Sequence, residues 1–234
     1  MQRNSNIHNN DFLNTSVRKK VRMNGADTIS PSTYNLIIGA VILYGFIVNA
    51  LIVWLGGDSL VRFATNNYAV FFIAYFVMCL AGMFLSAKAK NPVLSFIGYN
   101  LVVVPIGAVV TIAVSGQYIE DVLLAIVVTG AVTAIMMILG TAYPRFFAKL
   151  GRTLFLSLFI GVLANLVASL FGYSGTIFNW LFVVLFSLYI GYDWQKAQMF
   201  PKTADNAVDS ALDLYLDIIN LFLQLLRLMS KSRN

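Results

Sequence analysis

Val208-Asp-Ser-Ala-Leu-Asp-Leu-Tyr-Leu-Asp-Ile-Ile-Asn-Leu-Phe-Leu-Gln-Leu-Leu-Arg-Leu-Met229 has the length and apolar content of a membrane span, yet it carries Asp209, Asp213, Asp217, Asn220, Gln224 and Arg227. At about 100° per residue these six fall within an arc of roughly 80° on a helix. Leu, Ile, Phe and Met dominate the other faces. A carboxylate at mid-bilayer costs at least about 2.5–3.5 kcal/mol, so such a stripe must face protein or water rather than lipid. The segment reads as the centre of a helical bundle, its stripe lining either a path or a sealed pocket.

The rest of the composition agrees. Of 234 residues, 59% are hydrophobic and 11% charged, and the mean hydropathy is +0.78. Soluble domains carry about 25% charged residues, so the deficit points to a polytopic membrane protein. Cys79 is the only cysteine, which excludes an internal disulfide. His8 is the only histidine and Glu120 the only glutamate. No metal-ligand spacing, phosphate loop or nucleophile–base–acid set is visible, so no resident cofactor and no enzymatic activity are expected. The pI near 9.5 comes from basic residues at span edges. That pattern fits topology and lipid better than nucleic acid.

Residues 1–33 are polar and Asn- and Ser-rich, with Arg18, Lys19, Lys20 and Arg22 close together. They read as a disordered cytoplasmic tail, followed by a seven-helix transmembrane domain over 34–230. Seven apolar runs follow: Tyr34 to Leu55, closed by Gly56-Gly57-Asp58; Tyr68 to Ala87; Pro92 to Val114, with a kink expected at Pro105; Val122 to Ala142; Thr153 to Phe171; a sixth from Thr176; and the stripe helix. Each is near the roughly 20 residues needed to cross the hydrocarbon. With the tail inside, Lys88, Lys90, Arg145, Lys149, Arg152, Lys196 and Lys202 also fall inside, as the positive-inside rule asks. Lys231 and Arg233 then fall outside if the last helix crosses fully.

The sixth run ends in Tyr189-Ile-Gly-Tyr-Asp193-Trp-Gln-Lys-Ala-Gln-Met-Phe-Pro201, and Pro201 is its natural stop. At 1.5 Å per residue, Asp193 and Asp217 lie roughly 10–14 Å below that end of the bundle. An antiparallel hairpin turning near Asp205 therefore brings them level. Two adjacent carboxyls in low dielectric cannot both ionise cheaply, and they share a proton. Such a pair is a pH-sensitive latch, held while half-protonated and pushed apart when both are charged. When ionised it attracts a cation, and hard oxygen ligands suit Ca²⁺. Duller readings stand beside this one. Asp217 and Asp193 can be hydrogen-bonded interface residues. Asp209 and Asp213 can be helix-start carboxylates favoured by the dipole, or partners of Lys196. Asn220, Gln224 and Arg227 can be interhelical glue or pore lining. Asn100 and Asn165 are expected to hydrogen-bond into the bundle.

Phe186-Ser-Leu-Tyr-Ile-Gly-Tyr-Asp193 and Leu214-Tyr-Leu-Asp217-Ile-Ile-Asn-Leu-Phe-Leu-Gln-Leu-Leu-Arg227 resemble segments of the Bax inhibitor family (transmembrane Bax inhibitor motif proteins), in its bacterial branch. The second segment is close to that family's Leu-Tyr-Leu-Asp-Phe-Ile-Asn-Leu-Phe signature. Gly161 to Phe171 is similar more loosely. The resemblance is strong over residues 150–230. It implies seven helices with the last surrounded by the other six, and a pH-sensitive Ca²⁺ leak gated by two aspartates sharing a proton. Those aspartates map onto Asp193 and Asp217. The bacterial branch also carries a glutamate of the second helix on the ion path, and Tyr68 to Ala87 has no acidic residue. Some relatives pair a latch aspartate with an arginine ending that helix; here the nearest basic residues are Lys88 and Lys90.

The expectation is thus an all-α polytopic membrane protein, a seven-transmembrane-helix bundle with its C-terminal helix at the centre. It resides in a bacterial plasma membrane, N-terminus cytoplasmic, and leaks Ca²⁺ under proton control. Asp193 and Asp217 are the sensor and cation site, with Asp213, Asp209, Asn220, Arg227, Lys88 and Lys90 as pore or latch partners. Its partners are the lipid bilayer, calcium and protons, with other membrane proteins as further candidates. The rival readings are a proton-coupled secondary transporter and a non-conducting regulator that binds other membrane proteins, such as a membrane protease.

Overall fold

The computed structural model describes residues 28–89, 91–172 and 175–232. Among them the chain forms α1 (Pro31–Asn66), α2 (Tyr68–Lys88), α3 (Pro92–Val114), α4 (Ile119–Ala142), α5 (Pro144–Ala148), α6 (Gly151–Leu170), α7 (Thr176–Met199) and α8 (Ala204–Ser232). Six of these, α1, α2, α3, α4, α6 and α7, are long and apolar enough to cross a membrane. The expected seven apolar spans are therefore six. α8 departs because Asp205, Asp209, Asp213 and Asp217 make its first half too polar for lipid.

α8 is instead enclosed. From Asp205 to Leu226 no residue is exposed, and all but Asp213, Leu216 and Asn220 are buried. It packs against α7, α1, α4 and α3, and a side chain of α2 reaches it as well. α6 packs mainly on α7, outside this ring, so the enclosure is less complete than six helices around one. The outward faces of α2, α4 and α6 carry Phe76, Leu80, Ile126, Val127, Phe159 and Ile160, all more than half exposed. Apolar side chains outside and carboxylates inside is the arrangement lipid demands.

Local chemistry sets the helix ends. Ser30 caps α1, its Oγ accepting from the Thr33 N–H at 3.1 Å, with Pro31 in the first turn. Residues 31–33 thus belong to the first helix rather than to the tail; residues 1–27 of the expected tail lie outside the described residues. α1 does not stop at Gly56-Gly57-Asp58. It bends at Gly57, which leaves helical geometry, and continues to Asn66. α3 continues through Pro105. The segment after α4 holds the extra short helix α5, whose Phe147 is buried. α8 begins at Ala204, four residues before the expected start, because Thr203 Oγ1 accepts from the Asn206 N–H at 3.2 Å. Lys202 Nζ donates to the carbonyls of Ala197 (3.2 Å) and Gln198 (2.9 Å), closing the last turn of α7. The Ile29 N–H donates to the Lys202 carbonyl at 2.8 Å, which seats the chain entering α1 on the α7–α8 turn.

Candidate functional site

The site is the α7–α8 hairpin. Pro201 ends α7, four residues turn the chain, and the antiparallel return brings α8's acidic face against α7. Asp193 and Asp217 are both buried, at 9% and 7% exposure. Their carboxyls are neighbours inside the hairpin, close enough for each to feel the other's charge. A carboxylate accepts and cannot donate. With both groups ionised the contact would be repulsive, and Asp217 Oδ2, buried and without another partner, would have no donor. One proton held between the two carboxyls answers both difficulties.

Lys196 joins the pair to a third carboxylate. Its Nζ donates to Asp193 Oδ1 at 3.0 Å and to Asp213 Oδ2 at 2.8 Å. The sequence offered Lys196 as a partner for Asp209 or Asp213, and the structure assigns it to Asp213. Asp209 accepts from Ser86 Oγ of α2. One turn earlier, Asp205 accepts from Ser95 Oγ of α3 at 2.7 Å. These two carboxylates fasten the start of α8 to neighbouring helices.

The remaining expected partners are elsewhere. Asn220 Nδ2 donates to the Leu216 carbonyl on its own helix, at 2.7 Å. Arg227 is exposed near the far end of α8. Lys88 is exposed, with its ammonium 4.1 Å from the centre of the Phe84 ring. A side chain ending α2 on the surface does not reach the buried pair, and Lys196, three residues from Asp193, supplies the cation instead. Lys90 lies outside the described residues. Asn100 accepts from Tyr44 Oη at 2.8 Å, bridging α1 and α3.

Sequence reasoning singled out Asn100 and Asn165 within the apolar runs but missed other polar side chains there. Tyr34 is fully buried, and its hydroxyl lies 3.1 Å from the Ala197 carbonyl, 3.3 Å from the Asn206 carbonyl and 3.0 Å from Ser210 Oγ. It ties α1 to both arms of the hairpin. Asn49 Nδ2 donates to Tyr215 Oη at 2.7 Å, and its Oδ1 has no partner. The signal for Lys196 was present as an Asp–Lys pair three apart on a helix. Nothing in the runs marks Tyr34, Asn49, Ser86 or Ser95.

As a cation cage the site is incomplete. Ca²⁺ takes six to eight oxygens. Among the described residues no three His, Cys, Asp or Glu side chains converge, and Asp193 is already engaged by Lys196.

An all-helical bundle with buried acidic side chains and an apolar exterior defines a polytopic membrane protein. A family model described as "Inhibitor of apoptosis-promoting Bax1" matches residues 27–234, and the chain belongs to that family, the Bax inhibitors. An uncharacterized protein of Helicobacter pylori (strain J99) is 26% identical over 201 residues, covering 85% of this chain and 84% of the relative. An uncharacterized protein of Borreliella burgdorferi is 35% identical over 109 residues, 42% of this chain and 47% of the relative. Bax inhibitor 1 of Saccharomyces cerevisiae is 37% identical over 84 residues, 33% of this chain and 28% of the yeast protein.

Proposed function

We propose that this protein is a proton-regulated leak for Ca²⁺, latched by the Asp193–Asp217 pair. The observation that carries the reading is the meeting of two buried carboxyls inside the bundle, one with an otherwise unpartnered oxygen. While one proton is shared, the pair is attractive and holds α7 to α8. As pH rises and that proton leaves, two like charges face each other in low dielectric and the contact loosens. Ca²⁺ is cargo here, drawn by the freed carboxylates. The latch sits in a seven-crossing bundle, with α8 as the inner crossing and the N-terminus on the cytoplasmic side of a bacterial plasma membrane.

Ca²⁺ flux into proteoliposomes from pH 6 to 8 tests this. Wild-type flux is expected to rise with pH, and Asp217→Asn and Asp193→Asn to flatten the profile. The same pH profile in both variants as in wild type would remove the latch. A non-conducting regulator that binds other membrane proteins is the second reading. It is favoured by the lack of any acidic residue along Tyr68–Lys88, and it requires no ion flux from purified protein at any pH. A proton-coupled transporter would instead show saturable, substrate-dependent flux.

A further inference from the structure

The latch reading makes Lys196 only a counter-charge to Asp193, although the lysine also reaches a second carboxylate. Asp213, Lys196 and Asp193 form a chain whose side-chain exposure falls from 41% to 25% to 10%. The chain ends at Asp217, 7% exposed, whose Oδ2 has no partner beyond the Asp193 carboxyl. A cation arriving from the exposed end meets Asp213 first. The place between Asp213 and Asp193, where it must pass next, is held by the Lys196 ammonium at 2.8 and 3.0 Å. The rings of Tyr192 and Phe200 stand 5.9 and 6.0 Å from that ammonium.

We propose that Lys196 is a tethered cation that plugs the route from Asp213 to the Asp193–Asp217 pair, and that a permeant cation advances only by displacing it. A lysine ammonium is a compact charge on a flexible four-carbon stem, so it can swing away without disturbing α7. Because it is tethered, it competes with free ions at an effective concentration in the millimolar range or above. Resting protein is therefore self-blocked, and the occupant that replaces the plug must be positively charged. The flux part of this inference rests on the leak reading, whereas the binding part does not.

The test compares full-length wild type with Lys196→Met, Lys196→Gln and Lys196→Arg. Lys196→Gln removes the charge but keeps a hydrogen-bond donor beside both carboxylates, which guards against misfolding of the apolar replacement. Thermal melts in detergent across a Ca²⁺ titration read binding through stabilisation of the folded state. Without the tethered competitor, Lys196→Met should respond at about tenfold lower Ca²⁺ or less, and the charge-keeping Lys196→Arg should stay within about threefold of wild type. Lys196→Gln should show the gain as well. A folded Lys196→Met or Lys196→Gln with the wild-type Ca²⁺ response overturns the plug. In proteoliposomes Lys196→Met should carry faster Ca²⁺ flux than wild type. Tighter binding with no flux from any protein would sink the leak and leave the plug standing. A pH-dependent wild-type flux, unchanged in both flux and binding by Lys196→Met, would do the reverse.

Discussion

The cost of placing a polar atom inside a membrane bundle depends on what it finds there. Asp205 and Asp209 each find a serine hydroxyl on another helix, and the Tyr34 hydroxyl finds three oxygens. Tyr34→Phe removes a group linking α1 to both hairpin arms while keeping the ring. It should lower stability by about 1–3 kcal/mol, the usual penalty when buried partners lose a hydrogen bond. A melting curve indistinguishable from wild type would show that the hydroxyl holds nothing. Gln224 Oε1 is the contrast, buried on the same stripe of α8 with no hydrogen-bond partner. The acidic stripe was legible because carboxylates in an apolar run stand out against their surroundings. The hydroxyl and amide partners were not, since Ser, Thr, Tyr and Asn are tolerated in spans wherever a neighbouring carbonyl is near. Lys88 was misassigned for a related reason: sequence shows which cation ends α2, but not that its side chain folds back over Phe84.

At the scale of elements, close crossings position the fastening serines. α2 and α3 touch through Gly82 and Gly98. A Cβ on Gly82 would lie 2.6 Å from the Gly98 carbonyl oxygen, and one on Gly98 would lie 2.8 Å from the Ser86 nitrogen. Both obstacles are backbone atoms, so neither can swing aside. Gly98→Ala should force the helices apart, destabilising the protein by about 1–3 kcal/mol. It should also loosen Ser86 from Asp209, so a melt of the purified variant falling by several degrees is expected. An unchanged melt would mean that the crossing is slack. The helices themselves were largely legible, because apolar runs of span length leave little alternative. Their ends were less so. Gly56-Gly57-Asp58 carries the composition of a terminus, yet in α1 it makes a bend, and the chain continues to Asn66. α8 starts at Ala204 because Thr203 caps it, a detail overshadowed in the sequence by Pro201.

For the whole molecule, the open question in the sequence was whether the last helix crosses, since crossing sends Lys231 to the less basic side. Two features of the fold favour a full crossing. At 1.5 Å per residue, 29 residues extend about 43 Å, more than the roughly 30 Å of hydrocarbon. Burial also persists along α8 from Asp205 to Leu226 instead of fading after its acidic half, so the helix runs through the bundle rather than stopping beside the latch. A full crossing leaves Lys231 on the less basic side, and it keeps α8 packed against α1, α3, α4 and α7. On the proposed topology the positive-inside rule puts the start of α1 on the cytoplasmic side, together with Lys88, Arg145, Lys149, Arg152 and Lys202. The chain's two ends should therefore lie on opposite sides. A reporter active only outside the cytosol should give signal when fused after Asn234, and none when fused ahead of Met1 or inserted beside Lys149. Cytosolic placement of the C-terminal fusion would leave six crossings with α8 entering and returning, and the Asp193–Asp217 contact would then belong to a pocket open to one side only.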